Sequence, residues 1–234
     1  MKHIVSFSGG KDSTAMLLMM IERDMSIDEI IFCDTGMEFP AMYDHIDRVE
    51  QFIDRRITTI KSEKTYNYYL GEHIKKNGQI GYGHPDFQNR WCTQLLKKSV
   101  FLKYLKKYSD IVEYHGIAFD EKHRTQKNGE KNIKYPLVEW EVTERDALNY
   151  CYLKGFDWNG LYNDFMRVSC LCCPLSRLSE LKVLYNKYPE LWKQLEELDK
   201  KSFRQFRSDY TLKELEKWFV EDKKQIDLNF KESK

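Results

Sequence analysis

The feature that most constrains the fold is a glycine turn near the start of the chain, which joins two apolar segments. Residues 3–7 (HIVSF) have the length and composition of a buried strand, and residues 14–23 (TAMLLMMIER) are apolar on every face of a helix. Between them lies the loop SFSGGKDS, residues 6–13. A strand, a glycine turn and a helix in this order direct backbone N–H groups and the positive end of the helix dipole at an anion. The sequence therefore predicts an α/β fold with an anion site at its first turn.

The loop differs from two well-known phosphate-binding motifs. A Walker A loop has Ser or Thr after its lysine and a glycine five residues before the last one, whereas this chain has Asp12 and Val5 there. The Rossmann fingerprint GxGxxG is also absent. The residues that offer amide, hydroxyl or ammonium donors to phosphate are Ser8, Gly9, Gly10, Lys11, Asp12, Ser13 and Thr14. We expect this loop to bind phosphate groups without being a P-loop.

Strand and helix patterns alternate along the following residues. Further strands are predicted at 29–33 (EIIFC), 57–61 (ITTIK) and 110–118 (DIVEYHGIA). Helices are predicted at 40–55, opened by Pro40, at 92–108, and at 144–155, with Thr143 as N-cap and Gly155 at the end. Such alternation favours a mostly parallel sheet with helices on both faces.

Loops and a helical tail complete the predicted organisation. Residues 77–89 and 120–132 are rich in turn-forming or polar residues, and we expect loops there, as candidate lids over the site (77–89 and 120–134). The chain after residue 174 is predicted to be a helical appendage. We divide the chain into a nucleotide-binding α/β domain, residues 1–160, and a cysteine-containing loop with a helical C-terminal region, residues 161–234.

Charge and composition argue against several classes of function. The formal net charge is +1, so no global field attracts nucleic acid or a membrane surface. The first residues lack the apolar core of a signal peptide, and no apolar run approaches the length of a membrane span. We therefore expect a cytoplasmic protein with reduced thiols and no membrane contact. Its six cysteines then need an explanation other than disulfides.

Several motifs resemble a known superfamily. The SGGKDS loop resembles that of the N-type ATP pyrophosphatases, the adenine nucleotide α-hydrolase-like superfamily. Segments in the order of its PAPS reductase-like branch follow: IFCDTGMEFP (31–40), NRWCTQLLK (89–97), GIAFDEKHR (116–124), YPLVEW (135–140), CLCCP (170–174) and YPELW (188–192). The resemblance implies a Rossmann-like, mostly parallel five-stranded sheet, with ATP across the carboxyl ends of the first two strands.

The resemblance also implies roles for particular residues. The loop from Ser8 to Ser13 would hold the β and γ phosphates of ATP, with Lys11 and Asp12 also catalytic. Asp34 and Thr35 would line the adenosine or help place Mg²⁺, which neutralises the pyrophosphate leaving group. Arg124, and also Arg90, would stabilise charge that develops on the phosphates. For Glu38 two alternatives are open: a surface or capping role, and a role in the site.

Two kinds of reaction occur in this branch, and the sequence favours one of them. Sulfonucleotide reductases attack the sulfate of PAPS or APS with a cysteine near the C-terminus, but the last 61 residues here contain no cysteine. Those reductases usually depart from the intact SGGxDS loop, which this chain keeps. We therefore expect an enzyme that cleaves ATP to AMP and pyrophosphate, adenylates a substrate and transfers sulfur to it. The alternatives are a reductase that releases sulfite, with Cys172 as its thiol, and a non-catalytic adenine-nucleotide sensor or complex subunit.

The cysteines are candidate metal ligands. Several thiolating relatives carry a [4Fe–4S] cluster, and Cys92, Cys170 and Cys173 have the layout of such a site. Cys172 would be the fourth ligand or a free catalytic thiol beside the cluster. A closed zinc site and small buried thiols without metal are the alternatives. The two other cysteines, Cys33 and Cys151, are expected in the core.

The acceptor of the sulfur is left open between a nucleic acid and a small molecule. Residues 88–107 carry six basic side chains and no acidic one, with Trp91 and Tyr104 interleaved, which could guide a nucleic-acid backbone. For the last three lysines, the solvated face of a helix is the favoured interpretation. A sulfur-donor protein is a further expected partner, and relatives suggest a homodimer.

Overall fold

The computed structural model describes residues 1–127, 132–168 and 170–232. The chain forms two compact units, and each combines segments that are distant in sequence. Unit one contains Met1–Ser62 and Leu95–Val168, and unit two contains Glu63–Gln94 and Ser169–Lys234. The domain division at residue 160 stays a prediction.

Unit one is built on a sheet of five parallel strands in the order β3-β2-β1-β4-β5. The strands are β1 Lys2–Phe7, β2 Glu29–Asp34, β3 Ile57–Lys61, β4 Ile111–His115 and β5 Ile133–Lys134. The predicted α/β class and five-stranded sheet are confirmed. Phe7 pairs with Phe32 and Asp34 pairs with Lys61, so the SGGKDS loop and Asp34 both follow strand ends at one edge of the sheet.

The helices are α1 Lys11–Glu22, α2 Pro40–Ile53, α3 Tyr66–Gly71, α4 Ser99–Leu105, α5 Pro136–Glu139, α6 Glu144–Leu153, α7 Leu161–Asp164, α8 Leu178–Lys187, α9 Pro189–Lys201 and α10 Leu212–Glu232. Helix α1 is buried over most of its length because it packs against β1, α5 and α6. A second part of the core joins the sheet to α4, and its buried side chains are Ile4, Ile31, Ile60, Phe101 and Leu105.

Local signals in the sequence explain several helix ends. Pro40 opens α2 at a position where its missing N–H is not needed. Thr143 caps α6 as predicted: the Asp146 N–H donates to its hydroxyl over 3.2 Å, while the Thr143 N–H donates to the Asp146 carboxylate over 3.1 Å. The chain then turns at Gly155, whose φ is +83°.

Two sequence predictions are wrong in detail. The helix expected over 92–108 is a π-helix at Thr93–Lys98 followed by α4, and hydrophobic periodicity does not distinguish these forms. The loop expected over 120–132 contains a 3₁₀ helix at Phe119–Lys127, and residues 128–131 lie outside the described residues. The 3₁₀ helix forms because its polar residues have partners: Asp120, for example, accepts from the Glu144 N–H over 3.1 Å.

Unit two contains the helical C-terminal region that the sequence predicts. Helix α9 packs against α3 and α8, and α8 packs against α10. The most deeply buried side chains of these helices and the segment before α10 are Leu181, Leu184, Leu195, Phe206, Leu215 and Phe219. Within the described ranges, no helix combines the length and apolar character that a membrane span requires.

Candidate functional site

The SGGKDS loop passes directly from β1 into α1. Gly9 has a φ of +77°, and a Cβ atom there would lie 2.6 Å from the Met42 Sδ, so both backbone and space require glycine. Gly10 is the N-cap residue of α1, and no side chain at this position accepts a hydrogen bond from the first-turn amides. The amides of Lys11, Asp12 and Ser13 consequently precede the first intrahelical bond, which runs from Thr14 N to Gly10 O. Amides in this position are the donors that bind anions at helix N-termini.

Two serines hold the loop in this shape. The hydroxyls of Ser8 and Ser13 lie 3.0 Å apart, and the Ser8 N–H donates to the Ser13 hydroxyl over 3.2 Å. The Ser13 hydroxyl in turn donates to the Gly10 carbonyl over 3.0 Å. These hydrogen bonds order the loop before any ligand binds.

Aromatic residues from a distant segment also hold the loop. The Trp158 indole N–H donates to the Gly9 carbonyl over 2.7 Å, and the Tyr162 hydroxyl accepts from the Lys11 N–H over 2.9 Å. Trp158 is fully buried, and both it and Asn159 have a φ of 51°, which non-glycine residues rarely adopt. The sequence reasoning missed Trp158 and Tyr162. The Asn159-Gly160 pair between them predicts a turn, but it does not indicate that this turn contacts the SGGKDS loop.

Charged side chains surround the start of α1. Lys11 is 6% exposed, and its ammonium group lies 3.1 Å from an Asp12 carboxylate oxygen and 3.0 Å from one of Glu144. Asp12, Glu121 and Glu144 form a carboxylate cluster, in which each residue offers an oxygen within 4.8 Å of the other two. Burial raises the pKa of Asp12 to about 6, against the opposing effect of Lys11.

The carboxylate cluster fits a divalent cation by the chemistry of its donors. Carboxylate oxygens are the protein ligands that Mg²⁺ and Ca²⁺ prefer. The sequence reasoning selected Asp12 and missed Glu121 and Glu144. Glu121 belongs to a segment quoted for the family resemblance, whereas Glu144 carries no sequence signal beyond its place in the first turn of a helix.

Asp34 and Thr35 lie at the end of β2 and are buried. Burial alone would raise the pKa of Asp34, but Lys61 at 2.8 Å, the Gly36 N–H at 2.7 Å and the Tyr43 hydroxyl at 2.8 Å hold that pKa below its usual range. The Thr35 hydroxyl donates to Glu38 over 3.0 Å. Glu38 is 9% exposed, so the surface alternative for this residue is wrong.

Two other candidate residues have partners of their own. Thr14 is fully buried, and its hydroxyl lies 2.9 Å from the His45 Nε2, within the core. Arg124 lies in the 3₁₀ helix and pairs with Glu121, so it is adjacent to the carboxylate cluster. Of the cysteines expected in the core, Cys151 is fully buried and Cys33 packs partly buried against the core of unit one.

In unit two, Cys172 interacts electrostatically with the three other candidate metal ligands, and the four are here called the thiol cluster: Cys92, Cys170, Cys172 and Cys173. Among the described residues, the carboxylate cluster and not the thiol cluster is the group of three or more ligand atoms that all lie within 4.8 Å of one another. Cys172 is 2% exposed, and burial raises its pKa well above that of an ordinary thiol, with further raising by its three neighbours. Burial also raises the pKa of Cys92, although the N–H and hydroxyl groups of Thr93 oppose this shift. The Cys173 N–H donates to the Cys170 carbonyl over 3.1 Å, which folds this segment into a turn.

The side chains of the thiol cluster are of the type that binds thiophilic metal groups. Thiolates are the ligands of iron–sulfur clusters and of structural zinc, and a positive metal group would offset the cost of burying charged sulfur. Burial, with a further contribution from Cys172, raises the pKa of the Tyr66 hydroxyl. Which group they hold, and their role as ligands, stay predictions.

Residues 2–176 match the model of the phosphoadenosine phosphosulfate reductase domain family. The chain belongs to this family. The resemblance inferred from the motifs is thereby confirmed, and it extends over the SGGKDS loop, the carboxylate cluster and the thiol cluster.

Individual proteins and solved structures show further similarity. An uncharacterized protein of Methanocaldococcus jannaschii is 30% identical over 199 residues, which are 80% of this chain and 45% of that protein. The chain thus spans less than half the length of that relative. A phosphoadenylyl-sulfate reductase of Candida auris, in complex with phosphate, superposes with a TM-score of 0.48 at 16% identity, covering 68% of this chain and 76% of that one. The U34-tRNA thiolase NcsA of Methanococcus maripaludis, with its [4Fe–4S] cluster, gives a TM-score of 0.44 at 15% identity, covering 85% and 71%.

Proposed function

We propose that this PAPS reductase-family chain binds ATP with Mg²⁺ at the SGGKDS loop, where an acceptor oxygen attacks the α-phosphate and pyrophosphate leaves. A sulfur nucleophile at the oxidation level of sulfide would then displace AMP from the adenylated acceptor, so that sulfur replaces the oxygen. The observation that carries the proposal is the intact loop, with its ordered first-turn amides, beside the carboxylate cluster.

The charges around the loop support a nucleotide that arrives with a cation. Carboxylates next to an anion site would repel a polyphosphate, and the charges of Lys11 and Arg124 together leave one of the three carboxylates unbalanced. A divalent ion held by Asp12, Glu121 and Glu144 would remove that repulsion and neutralise the leaving pyrophosphate. PAPS and APS have no β,γ-pyrophosphate for such a metal site to serve.

Within the proposed reaction, the residues of the loop have distinct tasks. The amides of Asp12 and Ser13 would donate to phosphate oxygens, while Ser8 and Ser13 keep these amides in place. Lys11 would stabilise the negative charge that develops as pyrophosphate leaves. Trp158 and Tyr162 would hold the backbone on both sides of Gly10.

The thiol cluster supports the sulfur-transfer part of the proposal. A thiol with the raised pKa of Cys172 is protonated near neutral pH and is a poor free nucleophile. This burial favours a metal-bound thiolate over direct attack of Cys172 on a sulfate. We propose a [4Fe–4S] cluster as the bound group, which would supply a site for the sulfur that is transferred.

The family assignment itself favours a second candidate, a reductase that acts on PAPS or APS. It would release sulfite from the sulfated nucleotide in the presence of a thiol reductant. Sulfite release that is lost in Cys172→Ser would support this candidate against the first.

The test of the first candidate follows the fate of ATP in anaerobically purified protein. We expect Mg²⁺-dependent binding of ATP and release of pyrophosphate, not of single phosphate, from γ-labelled ATP. Lys11→Ala and Asp12→Asn should each lower this release by about 100-fold or more, as removal of one charge-stabilising group typically does. Asp47→Asn, an exposed carboxylate on α2, is the matched control and should leave release unchanged. Equal pyrophosphate release in all four proteins would contradict the assignment of the loop.

A further inference from the structure

Tyr162 covers one of the three amides that begin α1. Its hydroxyl accepts from the Lys11 N–H over 2.9 Å, whereas the amides of Asp12 and Ser13 have no acceptor among the described residues. The acceptor of a first-turn amide lies beyond the end of the helix, in the place that an oxygen of a bound anion takes. The Tyr162 hydroxyl therefore lies where the proposed phosphate groups would bind.

The ring of Tyr162 is fixed beside the loop. Its centroid lies 4.8 Å from that of Trp158, at an interplanar angle of 81°. Trp158 is itself fully buried and donates to the Gly9 carbonyl. On the other side, a Cβ atom on Gly10 would lie 3.4 Å from the Tyr162 hydroxyl and 3.5 Å from that of Ser8, so glycine leaves room for both hydroxyls. The position of the Tyr162 hydroxyl is thus set by the fold before a ligand binds.

The hydroxyl of Tyr162 accepts one hydrogen bond and still has a proton to donate. No group in the described parts of the chain accepts that proton. Burial raises the pKa of Tyr162, so the hydroxyl remains a donor at neutral pH. An O–H group that accepts a hydrogen bond is polarised by it and becomes a stronger donor. Tyr162 thus replaces the N–H donor of Lys11 by an O–H donor that lies farther from the helix.

We propose that the Tyr162 hydroxyl donates a hydrogen bond to a phosphate oxygen of bound ATP, in place of the Lys11 amide that it covers. The inference rests on the proposed binding of ATP at the SGGKDS loop. Together with the amides of Asp12 and Ser13, Tyr162 gives the site three donors at the start of α1. In this role Tyr162 contacts the substrate, beyond its support of the backbone.

Two simpler roles of the hydroxyl predict different results. A hydroxyl that only supports the loop acts as an acceptor, and a hydroxyl that blocks the Lys11 amide competes with phosphate. Ring fluorination separates donation from support, because it makes a phenol a stronger donor and a weaker acceptor. Tyr162→Phe separates donation from blocking, because it removes the hydroxyl and frees the amide.

The experiment compares the unmodified chain, Tyr162→Phe and a chain with a ring-fluorinated tyrosine at position 162. Tyr152, which is 39% exposed on α6, receives the same two replacements as the matched control. The probe is an ATP analogue with a methylene group between its α and β phosphates, added with Mg²⁺. Calorimetry measures the dissociation constants. The fluorinated chain retains the hydroxyl, so it gives the comparison even where Tyr162→Phe does not fold.

We expect Tyr162→Phe to bind the analogue at least about 10-fold more weakly, as loss of a hydrogen bond to a charged group typically does. The chain fluorinated at position 162 should bind the analogue more tightly than the unmodified protein. Both variants at position 152 should match the unmodified protein.

Other outcomes would overturn the inference. Weaker binding in Tyr162→Phe without tighter binding in the fluorinated chain would assign the hydroxyl to support of the loop. Tighter binding in Tyr162→Phe would show that the hydroxyl blocks the Lys11 amide, and unchanged binding would show that it contacts no phosphate. In these cases the unmodified protein still binds the analogue, so the assignment of the loop stands. If the unmodified protein does not bind it, that assignment fails together with the inference.

Discussion

At the scale of single residues, Asp12 links the chemistry of the site to the stability of the chain. Burial raises its pKa to about 6 in the folded protein, whereas an unfolded chain has the ordinary value of about 3.9. The folded state therefore holds the proton more tightly, and Asp12 lowers the free energy of unfolding as the pH rises from about 4 to about 6. A bound cation would reverse this effect, because it favours the ionised carboxylate.

We predict that Asp12→Asn removes this pH dependence. Relative to the unmodified protein, the variant should become more stable by up to about 3 kcal/mol between pH 4 and pH 7, since each pKa unit corresponds to about 1.4 kcal/mol. Urea unfolding of both proteins at several pH values, without divalent ions, measures the difference. A difference that does not change with pH would show that the carboxylate titrates normally.

Gly9 is a second residue whose substitution gives a definite expectation. Gly9→Ala meets both an unfavourable positive φ and a clash with the Met42 sulfur. Gly78→Ala is the matched control, since its φ is +83° and no atom lies within 4 Å of an added Cβ. We expect Gly78→Ala to cost about 1 kcal/mol of backbone strain. Gly9→Ala should lower the free energy of unfolding by more than this and should also abolish ATP binding, which calorimetry can measure. An equal loss of stability in both variants would show that the clash with Met42 does not occur.

At the scale of elements, the segment from Trp158 to Tyr162 serves as a support for the SGGKDS loop. Trp158→Phe removes the donor to the Gly9 carbonyl and leaves that buried acceptor unpaired, which costs about 1–3 kcal/mol. We expect a lower melting temperature and weaker ATP binding. The control is Trp218→Phe, at a tryptophan that is 41% exposed, and it should change neither. An unchanged ATP affinity in Trp158→Phe would limit this segment to a structural role.

Element prediction from the sequence succeeded where one local signal decided the structure. Apolar runs located β1 to β4, and Pro40 and Thr143 marked helix starts, because these effects act within a few residues. The two residues of β5 are too few to give a pattern, and their strand form depends on pairing with β4. The π-helix after Cys92 was not predicted either, because over six residues its apolar spacing cannot be distinguished from that of an α-helix.

At the scale of the whole molecule, the site depends on residues that the chain brings together from distant positions. The SGGKDS loop was predictable because its residues are consecutive. Glu121 and Glu144 lie near Asp12 because α1 packs against α6, with the 3₁₀ helix beside it. Trp158 likewise contacts Gly9 from a distant part of the chain. Such contacts across more than a hundred residues have no local signature, so the motifs indicated the ligand class and not the complete site.

Each of the two units contains a buried histidine that should make its stability depend on acid. In unit one, burial lowers the pKa of His45 to about 3, and the ring stacks on Trp158 with centroids 4.2 Å apart. In unit two, burial lowers the pKa of His84 to about 4, even though its Nε2 lies 3.1 Å from an Asp199 carboxylate oxygen. Both rings are therefore neutral in the folded protein at neutral pH, while an unfolded chain protonates them near pH 6.5.

This difference has a definite sign. The stability that the neutral rings contribute is complete above about pH 6.5 and is lost as the pH falls toward the folded pKa values, by about 1.4 kcal/mol per pH unit for each histidine. The effect opposes that of Asp12 over the same range, so the Asp12→Asn background isolates it. We expect His45→Gln to remove the acid-dependent loss from unit one and His84→Gln from unit two, although each variant is less stable at pH 7. Denaturant unfolding between pH 4 and pH 7 measures the slopes, and slopes that stay the same in both variants would place the acid sensitivity in other groups.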